Sequence, residues 1–226
     1  MKLIIALAVP LCWMTADAQV SATRPPFVRA VGQGNVSVQP DQVKIDFGVV
    51  TTATTAQDAA ARNAAQVSAL LTALQATVGS TGNIQTIAYS LNANYNYPQS
   101  GNPVLTGYTA SNTIEVSAGD LSMAGAIIDT GVQAGATNVQ SLQFTLKNPD
   151  PVRQQALKLA TAQAKAHADA MASGAGLHTG AVHSIQEDSS TGGTPVLAAP
   201  GANTTPILPG LVYIQATVTL EVDLTT

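Results

Sequence analysis

From Val212 to Leu224 the chain alternates without a break. Val212, Ile214, Ala216, Val218, Leu220, Val222 and Leu224 fall on one face of an extended strand; Tyr213, Gln215, Thr217, Thr219, Glu221 and Asp223 fall on the other. Such a strand is one-sided, with an apolar face to be covered and a polar face that can stay wet. A lone strand or hairpin is barely stable in water, so the pattern calls for several strands and a second layer packed on one side.

The partners are legible upstream. Ala30–Val38 (AVGQGNVSV) and Val43–Val50 read as two strands separated by Gln39-Pro40-Asp41, with Val43, Ile45, Phe47 and Val49 inward. Thr55 with Asp58 three residues on is an aspartate form of the capping box. Ala60, Ala64, Val67, Leu71, Leu74 and Val78 follow at helical spacing, and Gly79 supplies the stop. Two long strands come next. Ile87, Tyr89, Leu91, Ala93, Tyr95 and Tyr97 form one face of the first; "LTGYTASNTIEVS", Leu105 to Ser117, is the second; "PQSGNP", Pro98 to Pro103, is the tip between them.

A second half begins at Asp120, which caps a helix carrying Leu121, Ala124, Ile128 and Val132. A strand follows with Leu142, Phe144 and Leu146 inward. Asp150-Pro151 marks another helix start, with the aspartate as cap and proline at the first helical position, where its missing N–H costs nothing. That alanine-rich helix runs to about Ser173. A strand near Ala181–Glu187, a Gly/Pro/Thr-rich insertion over 188–210 and the alternating strand complete the chain.

The expected fold is therefore α+β: mainly antiparallel sheet with helices packed on it, in the order ββαββ then αβαββ. A weak internal duplication shows in the two closing strands, "ASNTIEV" (Ala110–Val116) and "ATVTLEV" (Ala216–Val222).

The first residues carry an address rather than structure. Lys2, an apolar run from Leu3 to Met14 and the Ala16-Asp17-Ala18 cleavage signature read as a secretory signal peptide over 1–18, with cleavage near Ala18–Gln19. The run is shorter than the roughly 20 apolar residues of a membrane anchor. Residues 19–29 read as a flexible arm, and 30–226 as the folded domain. The expected product is periplasmic or secreted, with no transmembrane segment. The single cysteine, Cys12, lies in the signal, so stability has to come from packing rather than disulfides.

Charged residues make up 10% of the chain, against about 25% in a typical soluble protein. A net charge of −4 argues against a nucleic-acid partner, which requires a basic face. A charge-poor surface suits contact between proteins, whose interface cores are depleted in charge. A homo-oligomer or an envelope protein partner is the expectation.

No catalytic, cofactor-binding or metal-ligating residue is nominated. Gly32-Gln33-Gly34 lacks the third glycine and the following helix of a phosphate loop, and reads as closely packed backbone in an edge strand. His167, His178 and His183 have neither the spacing nor the cysteine company of a zinc site. No serine stands in a nucleophile motif. Asp58, Asp120 and Asp150 are helix-start residues, and Asp46 and Glu115 lie on outward strand faces. Tyr95 and Tyr97, flanking the hairpin tip, are the candidate partner contacts, since tyrosine joins an apolar ring to a polar end. Asn112, in the apolar row of its strand, is assigned a structural role: its amide is expected to bond backbone at a strand irregularity or helix end and pin the register.

These segments together resemble the SIMPL-domain family. "VRAVGQGNVSVQPDQVKIDFGVVTTATTAQDA" is similar to its opening, "IQTIAYSLNANYNY" with "LTGYTASNTIEVSAGDL" to its most recognisable part, and "GATNVQSLQFTLKNPDPVRQQALKLATAQAKAHADAMASGAGL" to its second half. The likeness covers about Val28 to Asp223. "GSTGN" stands where the family often has acidic residues. The resemblance implies secreted and periplasmic bacterial proteins of poorly defined function, some immunogenic, some linked to oxidative stress. It also implies an animal signalling adaptor bound to a receptor-associated kinase, and at least one large ring- or channel-like oligomer. It carries no catalytic residues. The expected function is non-enzymatic, through self-assembly or envelope association in stress tolerance. The alternatives are a hydrolase or carbohydrate-active enzyme whose site is built from distant residues, and an outer-membrane pore.

Overall fold

The computed structural model describes residues 25–99, 101–188 and 209–226. The signal peptide, most of the arm and most of the 188–210 insertion lie outside the described residues.

The elements run in chain order: β1 (Phe27–Val38), β2 (Gln42–Ala53), α1 (Ala56–Val78), β3 (Asn83–Asn96), β4 (Val104–Ala118), a 3₁₀ turn (Leu121–Met123), α2 (Ala124–Gln133), β5 (Asn138–Thr145), α3 (Asp150–Gly174), β6 (His178–Asp188) and β7 (Val212–Thr225). This is the expected α+β order. The strands divide into two antiparallel sheets, β3-β4-β2-β5 and β1-β7-β6. Helices α1 and α2 cover one face of the first; α3 covers one face of the second.

The duplication hinted at by the closing strands is visible in this topology. Helix α1 leads into the β3–β4 pair, with β2 on the far side of β4; α3 leads into the β6–β7 pair, with β1 on the far side of β7. Glu115 and Glu221 occupy matching places. Each lies on an interior strand, β4 or β7, facing away from the helices, and each is held from both sides. Glu115 accepts from Gln85 Nε2 at 2.8 Å and pairs with Lys44 at 3.5 Å. Glu221 accepts from Arg29 Nε at 2.8 Å and from the Ser184 hydroxyl at 3.1 Å.

Strand β2 buries Val43, Ile45, Phe47 and Val49 completely, against Leu70, Leu74, Ile114, Ile127 and Phe144. Strand β7 buries Val212 through Val222 in alternation, as its pattern requires, while Leu224 is half-buried. The Gly32-Gln33-Gly34 run lies on edge strand β1 and is close-packed backbone. A Cβ on Gly32 would sit 2.1 Å from the Ala160 carbonyl oxygen, and one on Gly34 1.9 Å from that of Ala156. Helix α3 meets this strand through Ala156, Ala160, Ala164, Ala168 and Ala172, one every fourth residue and all buried. Alanine on the helix and glycine on the strand together allow the two backbones to approach.

Several local details differ from the sequence pattern. Strand β1 starts at Phe27, before Ala30, because Phe27, Val28 and Arg29 pair with Asp223, Val222 and Glu221. The buried stripe of α1 is Ala59, Asn63, Val67, Leu70, Leu74 and Val78, one step round from the Ala60–Ala64–Leu71 reading. A polar residue can occupy that stripe because the Asn63 amide finds carbonyl partners inside. In α2 the buried residues are Ala124, Ile127 and Gly131, and Val132 is exposed, because Gly131 sits against the Phe47 ring. Helix α3 begins with Asp150 already in its first turn; the Asn148 side chain, not Asp150, accepts a backbone N–H there, that of Asp150, at 3.2 Å.

Candidate functional site

Strand β2 ends its pairing with β4 at Ala53 opposite Tyr108. Beyond that point β3 and β4 continue alone as a two-stranded ribbon, with Tyr95 opposite Leu105 and Asn96 opposite Val104. Helix α1 starts at this same end of the sheet, where Thr51 Oγ1 donates to the Ala59 carbonyl at 2.8 Å, and it lies over β2 and β4, to whose carbonyls Asn63 donates, so it leaves the outer row on β3 uncovered. The row Tyr89, Leu91, Ala93 and Tyr95 continues the apolar face of the core sheet, yet it is exposed along its length. The rings of Tyr95 and Tyr97 stand 6.5 Å apart at 52°, and Tyr97 keeps 74% of its surface open. The two residues nominated from sequence are thus brought together, at the end of an apolar strip that takes in Leu105, opposite Tyr95.

The same region is without charge. No Asp, Glu, Lys or Arg occurs from Asn63 to Ile114, a span that includes most of α1, all of β3 and most of β4. Two-stranded ribbons gain little from their own pairing.

The titratable groups lie elsewhere and are engaged locally. An open cleft of about 410 Å³ is lined by Asp41, Thr81, Asn83, Ser117, Asp120 and Lys147. Asp41 Oδ1 accepts the Lys147 backbone N–H at 2.7 Å. Asp120 accepts the Ser122 hydroxyl at 2.6 Å and its N–H at 3.0 Å, which hold its carboxyl below the usual range. Asp169 is likewise lowered, chiefly by the Thr179 hydroxyl at 2.6 Å. His167 Nδ1 lies 2.8 Å from the Val31 carbonyl, His178 opens β6, and His183 stands 3.9 Å from Asp223. Among the described residues no three His, Cys, Asp or Glu side chains converge as metal ligands would. Among the same residues no helix is long and apolar enough to cross a membrane.

Asn112 pairs with Val49 and Tyr89 and is half-buried; its amide oxygen is buried without a hydrogen-bond partner among the described residues. The expected bond from an asparagine to strand backbone is made instead by Asn63, whose Nδ2 donates to the carbonyls of Val49 at 2.8 Å and Ala110 at 3.2 Å. The signal for Asn63 was its spacing, four residues after Ala59 and four before Val67.

This sheet-and-helix arrangement matches a known family over residues 28–222: SIMPL, protein of unknown function (DUF541). The chain belongs to the SIMPL family. The SIMPL match takes in all but the first residue of β1 and all of the described strands and helices up to Val222. Among curated relatives, the 26 kDa periplasmic immunogenic protein of Brucella melitensis is 29% identical over 176 residues, covering 76% of this chain and 70% of its own length. The uncharacterised protein YggE of Escherichia coli K12 is 25% identical over 221 residues, covering 96% of this chain and 89% of its own. YggE of Edwardsiella ictaluri is 24% identical over 174 residues, covering 76% and 73%.

Proposed function

We propose that this SIMPL protein is a non-enzymatic component of the periplasm or secreted fraction that acts through self-assembly or association with the envelope, in tolerance of stress. The observation that carries this reading is the uncharged β3–β4 ribbon with Tyr95 and Tyr97 exposed at its end. A ribbon of this kind gains stability when another surface covers it, and tyrosine supplies large contact area with a polar group at its rim. The carboxylates of the open cleft are already occupied in holding local backbone, which favours binding over turnover. The name of the Brucella relatives, a periplasmic immunogenic protein, supports the compartment.

The test is release by osmotic shock without detergent, followed by light scattering across a concentration series. Release in the shock fluid and a mass above that of one chain, lowered by Tyr95→Ser with Tyr97→Ser, is the expected result. A single-chain mass at every concentration, with no co-purifying envelope component, overturns the reading.

A further inference from the structure

We propose that two copies of this chain join edge to edge through β3, antiparallel about a two-fold axis at Leu91, so that the two four-stranded sheets become one. This rests on the self-assembly reading above and names its surface and its partner, a second copy.

Among the described residues, strand β3 is the outer strand of its sheet, and the backbone N–H and C=O groups of its outer edge have no strand beside them. Proteins commonly blunt such edges with charge, proline or a bulge. From Asn83 to Tyr97 this one has no charged residue, no proline and no glycine. The other edges are guarded or short. Strand β1 carries Arg29 and the two glycines pressed on α3, β6 carries Glu187 and Asp188, and β5 has only eight residues.

The absence of charge selects the occupant. Across a two-fold axis each residue meets the same surface of its copy. A charge near the axis would face its like, which is destabilising for directly opposed strand residues. A different partner imposes no such condition, because it could bring the opposite sign.

The register is also defined. Pairing of β3 with β4 is regular between two irregularities, at Thr86/Ala88 and at Asn94/Tyr95. The regular stretch, Ala88–Asn94, is centred on Leu91. With Leu91 opposite its own copy, Tyr89 meets Ala93, Ser90 meets Asn92 and Ala88 meets Asn94. Every residue then keeps its face, since strand side chains alternate. The exposed Tyr89–Leu91–Ala93 rows of the two copies become one apolar band across the joined sheet.

The experiment uses the full chain carrying Cys12→Ser, so that an introduced thiol is the only one. Leu91→Cys is expected to give a covalent dimer under mild oxidation, because directly opposed strand residues come within disulfide reach. Leu91→Lys, which sets like charges face to face, is expected to halve the mass of the smallest associated species with the melting temperature kept. Leu91 is exposed in the single chain; if Leu91→Lys fails to fold, the cysteine cross-link alone decides. An associated wild type with no Leu91→Cys cross-link and an unchanged Leu91→Lys mass overturns β3 pairing and leaves self-assembly standing. A wild type that stays a single chain throughout removes both.

Discussion

The side-chain amide of Asn63, on α1, reaches the carbonyl of Val49, on β2, at 2.8 Å and that of Ala110, on β4, at 3.2 Å. One buried polar group on the helix thus spans two strands of the sheet that it covers. Among the described residues its own oxygen has no partner, nor does that of Asn112, the residue opposite Val49 on β4.

Asn63→Leu should therefore destabilise the fold by about 1–3 kcal/mol, because two strand carbonyls lose a buried donor. Asn112→Leu should cost less, since that residue is half-buried and its oxygen is already unpartnered. Urea unfolding of the two variants measures this; an equal or larger loss from Asn112→Leu contradicts the assignment.

The seam between β1 and α3 leaves no room for a Cβ. Gly32→Ala and Gly34→Ala should each lower stability by at least the ~1–3 kcal/mol typical of overpacking, since the obstructing atoms are helix backbone. Gly174→Ala, where a Cβ would meet nothing within 4 Å, should be neutral or stabilising by about 0.4–1 kcal/mol. Thermal melts of the three variants separate close packing from mere loss of glycine.

Glu221 is held below the usual carboxylate range, first by the Arg29 hydrogen bond and then by the Ser184 hydroxyl. A folded carboxylate with a lowered pKa adds stability above the unfolded group's titration, near pH ~4.3, and loses it as pH falls through the folded pKa. Glu221→Gln should lower the melting temperature at about pH 7, and the gap to wild type should close below about pH 4. A gap that persists undiminished in acid points to lost packing instead of lost charge.

Tyr95 and Tyr97 are both exposed, with their rings 6.5 Å apart. Replacing both by serine should leave the single chain's unfolding free energy within ~0.5 kcal/mol, as for surface positions outside the core, while weakening association. Parallel denaturation and light-scattering measurements check both halves; a large stability loss would make the pair part of the fold.

Much of the architecture was legible because local periodicity reports which face an element buries. The α+β order, the inward row of β2, the alternation of β7, the Thr55 cap of α1 and the close-packed glycines of β1 all follow from period, capping chemistry and the lack of a Cβ. What period cannot supply is the rotational phase of a helix with small residues on every side. In α1 and α2 the buried stripe was decided by Asn63 meeting strand carbonyls and by Gly131 meeting the Phe47 ring, both contacts with strand β2 or its neighbour β4.

The sequence by itself determined the family, the element order and an uncharged stretch around two tyrosines near a hairpin tip. Only the tertiary structure decided that the strands split into two sheets and that β3 stands at the edge of one of them. It also decided that the apolar row of β3 lies beyond the reach of its covering helix. Alternation says that a strand has an apolar face, but whether that face is covered depends on where a distant helix comes to rest.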